Sequence, residues 1–137
     1  MSADATELSL NASLDLPYAQ AVARVREALK QEGFGILTEI DVRETLKQKL
    51  DADFKRYVIL GACNPPLAHR ALSAEDQVGL LLPCNVIVYE AEAGTAVQAL
   101  NPLAMGQFFT APEVQAVAQE AYGRLQRSLA SLAGEGD

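Results

Sequence analysis

The sequence predicts a two-layer α+β domain in which an antiparallel sheet carries both long helices on one face. Stretches that alternate apolar and polar residues are typical of strands, and residues 18–30 and 113–129 repeat apolar residues at helical spacing. Gly94 lies between two apolar runs and predicts a hairpin turn. Half of the 137 residues are apolar, enough for one buried core. We therefore expect a single domain over residues 1–137, with its core at about residues 7–132 and short frayed termini.

The first part of the chain predicts a strand, a long helix and a second strand. Residues 7–14 (ELSLNASL) alternate apolar and polar side chains, as a half-buried strand does. Pro17 suits the first turn of a helix, and Asp15 just ahead of it is a candidate cap. Gly33 predicts the end of that helix. An unbroken alternation over residues 34–42 then predicts the second strand.

Two apolar strands in the middle of the chain are separated by a helical excursion. Residues 55–63 are nearly all apolar, which favours a central position in the sheet. Asn64 is a good cap, and Pro65 fits the first turn of a helix, so a helix is expected to follow that strand. Pro83 cannot donate to a sheet ladder, so the next strand is expected either to begin at about Cys84 or to bulge there.

Charge and hydropathy exclude two classes of partner. The net charge is −7, which repels phosphate backbones, and the basic residues of 43–56 are interleaved with acidic ones. We therefore expect no nucleic-acid partner. No run reaches the roughly 18 apolar residues of a membrane helix, and the N-terminus lacks a signal-peptide pattern. These features predict a cytoplasmic protein without a membrane partner, in which thiols are normally reduced.

The two cysteines mark the most informative place in the sequence. Cys63 closes one predicted strand and Cys84 opens the next, so they are expected at the same edge of the sheet if the strands are antiparallel neighbours. The sulfurs could then form a reversible disulfide or share a metal. Cys63 is the better candidate nucleophile because it would lie near a helix N-terminus. The alternative is that both cysteines pack as small apolar residues.

His69 is a candidate third ligand beside the cysteines. Two thiolates and one imidazole would match a zinc site with an open position, and they would also suit another soft metal or haem. The spacing of Cys63, His69 and Cys84 follows no metal-binding motif. The competing interpretation places His69 on the surface of a helix.

Two segments of the chain resemble a known family. Residues 61–65 (GACNP) and 82–86 (LPCNV), together with Lys49 before the third strand, are similar to the domain of unknown function 302 family over about residues 14–105. The resemblance implies a β-α-β(4)-α sandwich like a single repeat of TATA-box-binding proteins, and it implies dimers. It implies no established activity. The candidate ligand-binding residues are Asn64, Pro65, Pro83, Asn85 and Lys49.

Three functions remain open at this point. We favour a small homodimeric domain that binds a small ligand, a cofactor or a metal near the sheet edge of Cys63 and Cys84. The first alternative is a thiol-based redox or nucleophilic enzyme that uses these two cysteines. The second alternative is a dimeric interaction protein without a ligand. The sequence names no cofactor.

Overall fold

A computed structural model describes residues 2–135 and contains one six-stranded sheet in which every neighbouring pair of strands is antiparallel. The strand order is β1-β2-β6-β5-β4-β3. The strands are β1 (Ser2–Ala5), β2 (Ser9–Leu14), β3 (Gly35–Asp41), β4 (Tyr57–Cys63), β5 (Cys84–Ala91) and β6 (Gly94–Leu100). The predicted α+β class and the hairpin at Gly94 are confirmed.

Helices connect the strands, and the long ones pack on one face of the sheet. The helices are α1 (Tyr18–Gln31), α2 (Val42–Leu50), α3 (Pro65–Ala74), α4 (Leu103–Phe108) and α5 (Pro112–Glu135), with a 3-10 helix at Asp76–Leu81. The two long helices, α1 and α5, contact each other as well as the sheet. Within residues 2–135 no helix is long and apolar enough to cross a membrane.

The two ends of α1 are explained by one residue at each end, Pro17 before the helix and Gly33 after it. Pro17 is the N-cap residue and no side chain caps the helix, so the expected capping role of Asp15 is wrong. Asp15 lies two residues before the N-cap position, which Pro17 occupies with its φ of −59°. Gly33 ends it with φ of 86°, a left-handed conformation that glycine adopts readily.

Strand β3 departs from the expected unbroken alternation. Its pairing with β4 shifts between Ile36 and Thr38, which is a β-bulge. The bulge inserts one residue and reverses the face on which later side chains lie. Phe34 is consequently buried, whereas Ile40 is 48% exposed.

The N-terminus contributes a strand that the sequence did not predict. Residues 2–5 were expected to fray, but they form β1 and extend the sheet edge beside β2. The Asn11 side-chain amide donates to the Asp4 carboxylate across this pair at 2.8 Å. Helix α4, a short element between β6 and α5, was also not predicted.

Two clusters of buried apolar side chains lie on the helix-covered face. The first, here called the sheet core, joins the inner face of the sheet to α1 and to the C-terminal half of α5; it includes Leu29, Leu60, Val88, Val97 and Leu125. The second, here called the end cluster, joins α3, the 3-10 helix, α4 and the N-terminal half of α5; it includes Leu67, Ala71, Val78, Met105 and Val117. Helix α5 is common to both.

Candidate functional site

A cleft lies where the sheet core meets the end cluster. Its floor is the edge of the sheet at which β4 ends, β5 begins and β6 ends, and its walls come from α3, α4 and α5. The cleft contains about 610 Å³ of empty space including its open mouth, and the part that a water molecule can enter measures about 50 Å³. We call this space the apolar cleft. Its walls include Ala62, Leu67, Ala71, Leu82, Met105 and Leu125.

The two asparagines in the apolar cleft serve the fold. Asn64 accepts a hydrogen bond from the Leu67 backbone N–H at 3.3 Å, so it caps α3 as the sequence predicted. Its amide donates to the Glu32 carbonyl at 3.4 Å. Asn101 donates to the Thr6 carbonyl and accepts from the Leu103 N–H, both at 2.9 Å. Most of the remaining lining is aliphatic, so the surface of the cleft is largely apolar.

Cys84 lies on the floor of the cleft. It pairs with Ala62 in the β4–β5 ladder, and both side chains are on the helix-covered face. The thiol contacts the Leu100 carbonyl at 3.5 Å as a weak donor. Burial raises the pKa of the Cys84 thiol to about 12. At neutral pH the group is therefore a neutral thiol, which disfavours nucleophilic chemistry.

Cys63 lies at the same edge of the sheet but belongs to the alternate face of β4. It follows Ala62 directly and pairs with Gly35, so the strand pleat turns its side chain away from that of Cys84. Cys84 lies on the floor of the apolar cleft, whereas Cys63 borders the cleft at the end of its strand, and both are free thiols. The expected shared edge is thus present, whereas the sulfurs are not joined in a disulfide.

The candidate metal ligands are not gathered into one cluster. His69 is exposed on α3 and is not part of the cleft lining. Across the described residues 2–135, no group of three or more histidine, cysteine, aspartate or glutamate side chains is placed to hold a metal ion. His69 was predicted as a ligand because it lies only one helical turn after Cys63 in the sequence. That turn places it at an exposed position of α3.

Of the five candidate ligand-binding residues, the cleft includes Asn64 alone. Pro65 is exposed at the start of α3, and Lys49 is exposed on α2. Pro83 packs over Gly61, where an added Cβ would lie 2.8 Å from the proline ring. Asn85 is exposed on the outer face of the sheet, beside Gly61 in the ladder.

Sequence reasoning missed the contribution of α4 and α5 to the cleft. Ala104 and Met105 come from α4, and Val117 and Ala121 come from α5. The apolar spacing of α5 identified the side of the helix that is buried, but it did not show which of these residues pack against other side chains and which line the cleft. The available signal was the number of alanines in these segments, since small side chains leave space between helices.

Ion pairs tie α3, one wall of the cleft, to α5. The Arg70 guanidinium contacts the carboxylate of Glu113 at 2.6 Å and that of Glu120 at 3.2 Å. These hydrogen bonds raise the pKa of Arg70, and the bond from Arg70 is the main cause of the lowered pKa of Glu120. All three groups remain in contact with solvent, so the tie is weak.

The outer face of the sheet, opposite the long helices, is divided into a polar and an apolar half. One row of paired residues crosses all strands: Asp4, Asn11, Gln98, Ile87, Ile59 and Ile40. In the polar half, Gln98 donates to Asn11 at 2.8 Å. In the apolar half, Tyr57 and Tyr89 stack with ring centroids 5.3 Å apart.

The comparisons with known proteins agree on one family. Residues 10–132 match the family described as domain of unknown function DUF302. A crystal structure of an uncharacterized conserved DUF302 protein from Bacillus stearothermophilus is similar, with a TM-score of 0.82 and 31% sequence identity. The alignment covers 91% of this chain and 98% of that chain. No curated protein gives a significant match. The resemblance seen in the sequence is confirmed, and the chain belongs to the DUF302 family.

Proposed function

We propose that this protein is a small binding module that holds a slender apolar group in the apolar cleft. The observation that carries the proposal is the cleft between the sheet core and the end cluster, which is lined mainly by aliphatic side chains. A concave, apolar space with few polar groups is the usual form of a small-molecule site.

The dimensions of the cleft favour an unbranched aliphatic group. The water-accessible part measures about 50 Å³, whereas a cavity that binds benzene measures about 150 Å³. A ring of that size does not fit without widening, but the end of an aliphatic chain does. The side chains of Asn64 and Asn101 are engaged in the fold, so the polar end of such a ligand would remain at the mouth.

Binding is a better interpretation than thiol catalysis. The Cys84 thiol has a pKa of about 12 because of its burial, and the pleat of β4 directs Cys63 to the other face. A catalytic thiol needs a lowered pKa, and a redox pair needs two adjacent sulfurs. Two free cysteines also suit the reducing cytoplasm, which is the location we propose.

The test is a titration with 1-octanol, followed by amide NMR of the full chain. Octanol offers an aliphatic chain and a hydroxyl group that can stay at the mouth. The expected result is saturable shifts of amides on α3, α4 and the β4–β5 edge. Ala71→Leu adds three carbon atoms to the cleft wall and is expected to weaken binding by tenfold or more, since the filled volume is comparable with the free space.

Ala74→Leu is the matched control. Ala74 is exposed on the same helix, three residues further on, and it is not part of the lining. It adds the same apolar group outside the cleft and should leave the affinity for octanol unchanged. Octanol shifts that Ala71→Leu and Ala74→Leu affect equally, or no saturable shifts at all, would contradict the proposal.

The proposed assembly is a homodimer in which a second copy covers the apolar half of the outer face. Support comes from the three isoleucines paired across β3, β4 and β5, since Ile40 is 48% exposed although apolar. A two-fold axis through this half places isoleucines against isoleucines and leaves the polar half at the rim. An apolar centre with aromatic residues and a polar rim is typical of stable interfaces.

Sedimentation measures this assembly directly. Ile40→Asp places a charge in the apolar half at a position exposed enough not to disturb the fold of one chain, and it is expected to yield monomers. Ser13→Asp adds the same charge to an exposed residue of β2 and should leave the dimer intact. A wild-type chain that sediments as a monomer at tens of micromolar would refute the assembly.

A further inference from the structure

Helix α4 is a weakly anchored wall of the apolar cleft. Of its six residues, only Met105 is buried. Phe108 at its C-terminal end is 71% exposed. An element with so few buried contacts opens at a lower free energy than the rest of a fold. The cleft wall formed by Ala104 and Met105 is therefore expected to move more readily than the walls formed by α3 and α5.

The N-terminal end of α4 is firmly held. Asn101 just before it is buried, and its side chain bridges the Thr6 carbonyl and the Leu103 N–H, both at 2.9 Å. Leu100 ends β6 and accepts the contact from the Cys84 thiol. This end is a fixed pivot, and Cys84 lies beside it.

The C-terminal end of α4 is fastened by one side chain of α5. The Gln115 amide nitrogen donates to the carbonyls of Gly106 and Phe109, each at 2.7 Å. Carbonyls at a helix end lack partners within the helix, so this amide satisfies groups that would otherwise face solvent. The contact is close, because a Cβ added to Gly106 would lie 2.7 Å from the Gln115 side-chain oxygen.

We propose that α4 is a flap over the apolar cleft, pivoting at Asn101 and latched shut by Gln115. The role of the flap in ligand entry rests on the binding function proposed above, but its motion does not. With the flap closed, water can enter only about 50 Å³ of the cleft. Release of the latch widens the space along Ala104 and Met105, so that the cleft holds a longer part of an aliphatic chain than the end that fits when the flap is closed.

Cys84 reports the motion without any ligand. In a Cys63→Ser background, methyl methanethiosulfonate reacts only with Cys84, and its rate follows the opening of the cleft. Gln115→Glu keeps the shape of the side chain but replaces the donating amide nitrogen by a carboxylate oxygen, which the two carbonyl oxygens repel. Gln115→Met removes the donors without adding charge. Loss of the two hydrogen bonds is expected to raise the labelling rate about fivefold or more in both variants.

Gln119→Glu is the matched control, because it makes the same charge change at an exposed position one turn further along α5. It should label at the wild-type rate. Hydrogen exchange at the Phe109 amide, which donates to the Met105 carbonyl, should accelerate in the Gln115 variants alone. Equal labelling rates in all variants would overturn the flap. A rise in the labelling rate that is no larger than the loss of unfolding free energy predicts, as measured by urea denaturation, would overturn it too.

The octanol titration separates the flap from the binding function. Faster Cys84 labelling in the Gln115 variants without any octanol binding would support the flap and refute the proposed binding function. Octanol binding with unchanged labelling in every variant would support the ligand and refute the flap.

Discussion

The sheet core and the end cluster are built from the same kinds of side chain, yet most of the sheet core lies away from the apolar cleft, whereas the end cluster forms much of the wall of the cleft. In the sheet core, large residues such as Leu14, Leu29 and Leu60 meet the valines of the central strands. In the end cluster, the walls that face the cleft include the alanines at 71, 104 and 121. Short helices that carry small residues leave volume unfilled, whereas long helices on a sheet close it.

The largest expected effect is the truncation of a leucine in the sheet core. Leu60 is fully buried, so Leu60→Ala should lower the free energy of unfolding by about 2–5 kcal/mol. Leu67→Ala in the end cluster should cost clearly less, because the lost volume joins a cleft that water already enters. Urea denaturation of both variants measures the difference. Equal losses would mean that the end cluster is as tightly packed as the sheet core.

Replacing a buried alanine by leucine should also distinguish the two clusters, because it tests for free space instead of removing volume. Ala21 and Ala71 are both fully buried, but only Ala71 lines the cleft. Ala21→Leu overfills the sheet core and should cost about 1–3 kcal/mol of stability. Ala71→Leu fills existing space, so its cost should be smaller than that of Ala21→Leu. A comparable loss in the two variants, measured by urea denaturation, would show that the cleft offers no room to a side chain.

The sequence predicted the sheet core better than the end cluster, and the reason is periodicity. Strand alternation identified β2 and helical spacing identified α1, because each of them buries one regular face, and a nearly continuous apolar run identified β4. The cap at Asn64 and the strand start at Cys84 followed from local chemistry. Elements of four and six residues, β1 and α4, are too short to show a period.

The cleft depends on contacts between distant segments that no local pattern encodes. Cys63 and Cys84 were expected at one edge, and pairing of β4 with β5 places them there. Which face each thiol occupies depends on the register, since a shift by one residue exchanges the faces. The register aligns Ala62 with Cys84 and so leaves Cys63 on the other face. His69 was associated with them by sequence distance alone.

Cys84 lies where the two clusters meet and makes their junction sensitive to alkaline pH. Its thiol has a pKa of about 12 in the folded protein and of 9.0 in an unperturbed state. Between these values the unfolded chain releases a proton that the folded chain retains, so stability falls as pH rises above 9. The loss should approach about 1.4 kcal/mol per pH unit.

Cys84→Ala is the control for this slope, because Tyr18 and Tyr57 also have raised pKa values from burial. The variant should lose the contribution that begins near pH 9 and keep that of the tyrosines. Urea denaturation at several pH values up to 10.5 gives the comparison. A wild-type protein whose stability parallels that of Cys84→Ala over this range would mean that the thiol is solvated, and hence that the junction of the clusters is open to water.

The smallest expected effect concerns the ion pairs that tie α5 to its neighbours on either side of the cleft. Arg70 joins α3 to α5 through Glu113 and Glu120, whereas Arg127 joins α5 to Glu32 after α1. Arg70→Gln should lower the denaturation midpoint slightly at low salt, and the difference should vanish at about 1 M salt, where exposed charges are screened. Arg127→Gln, which breaks a tie beside the filled sheet core, should show the same salt dependence but leave Cys84 labelling unchanged. If Arg70→Gln also left that labelling unchanged, α3 would be held to α5 by apolar packing alone, and the opening of the cleft would not depend on the ion pairs of Arg70.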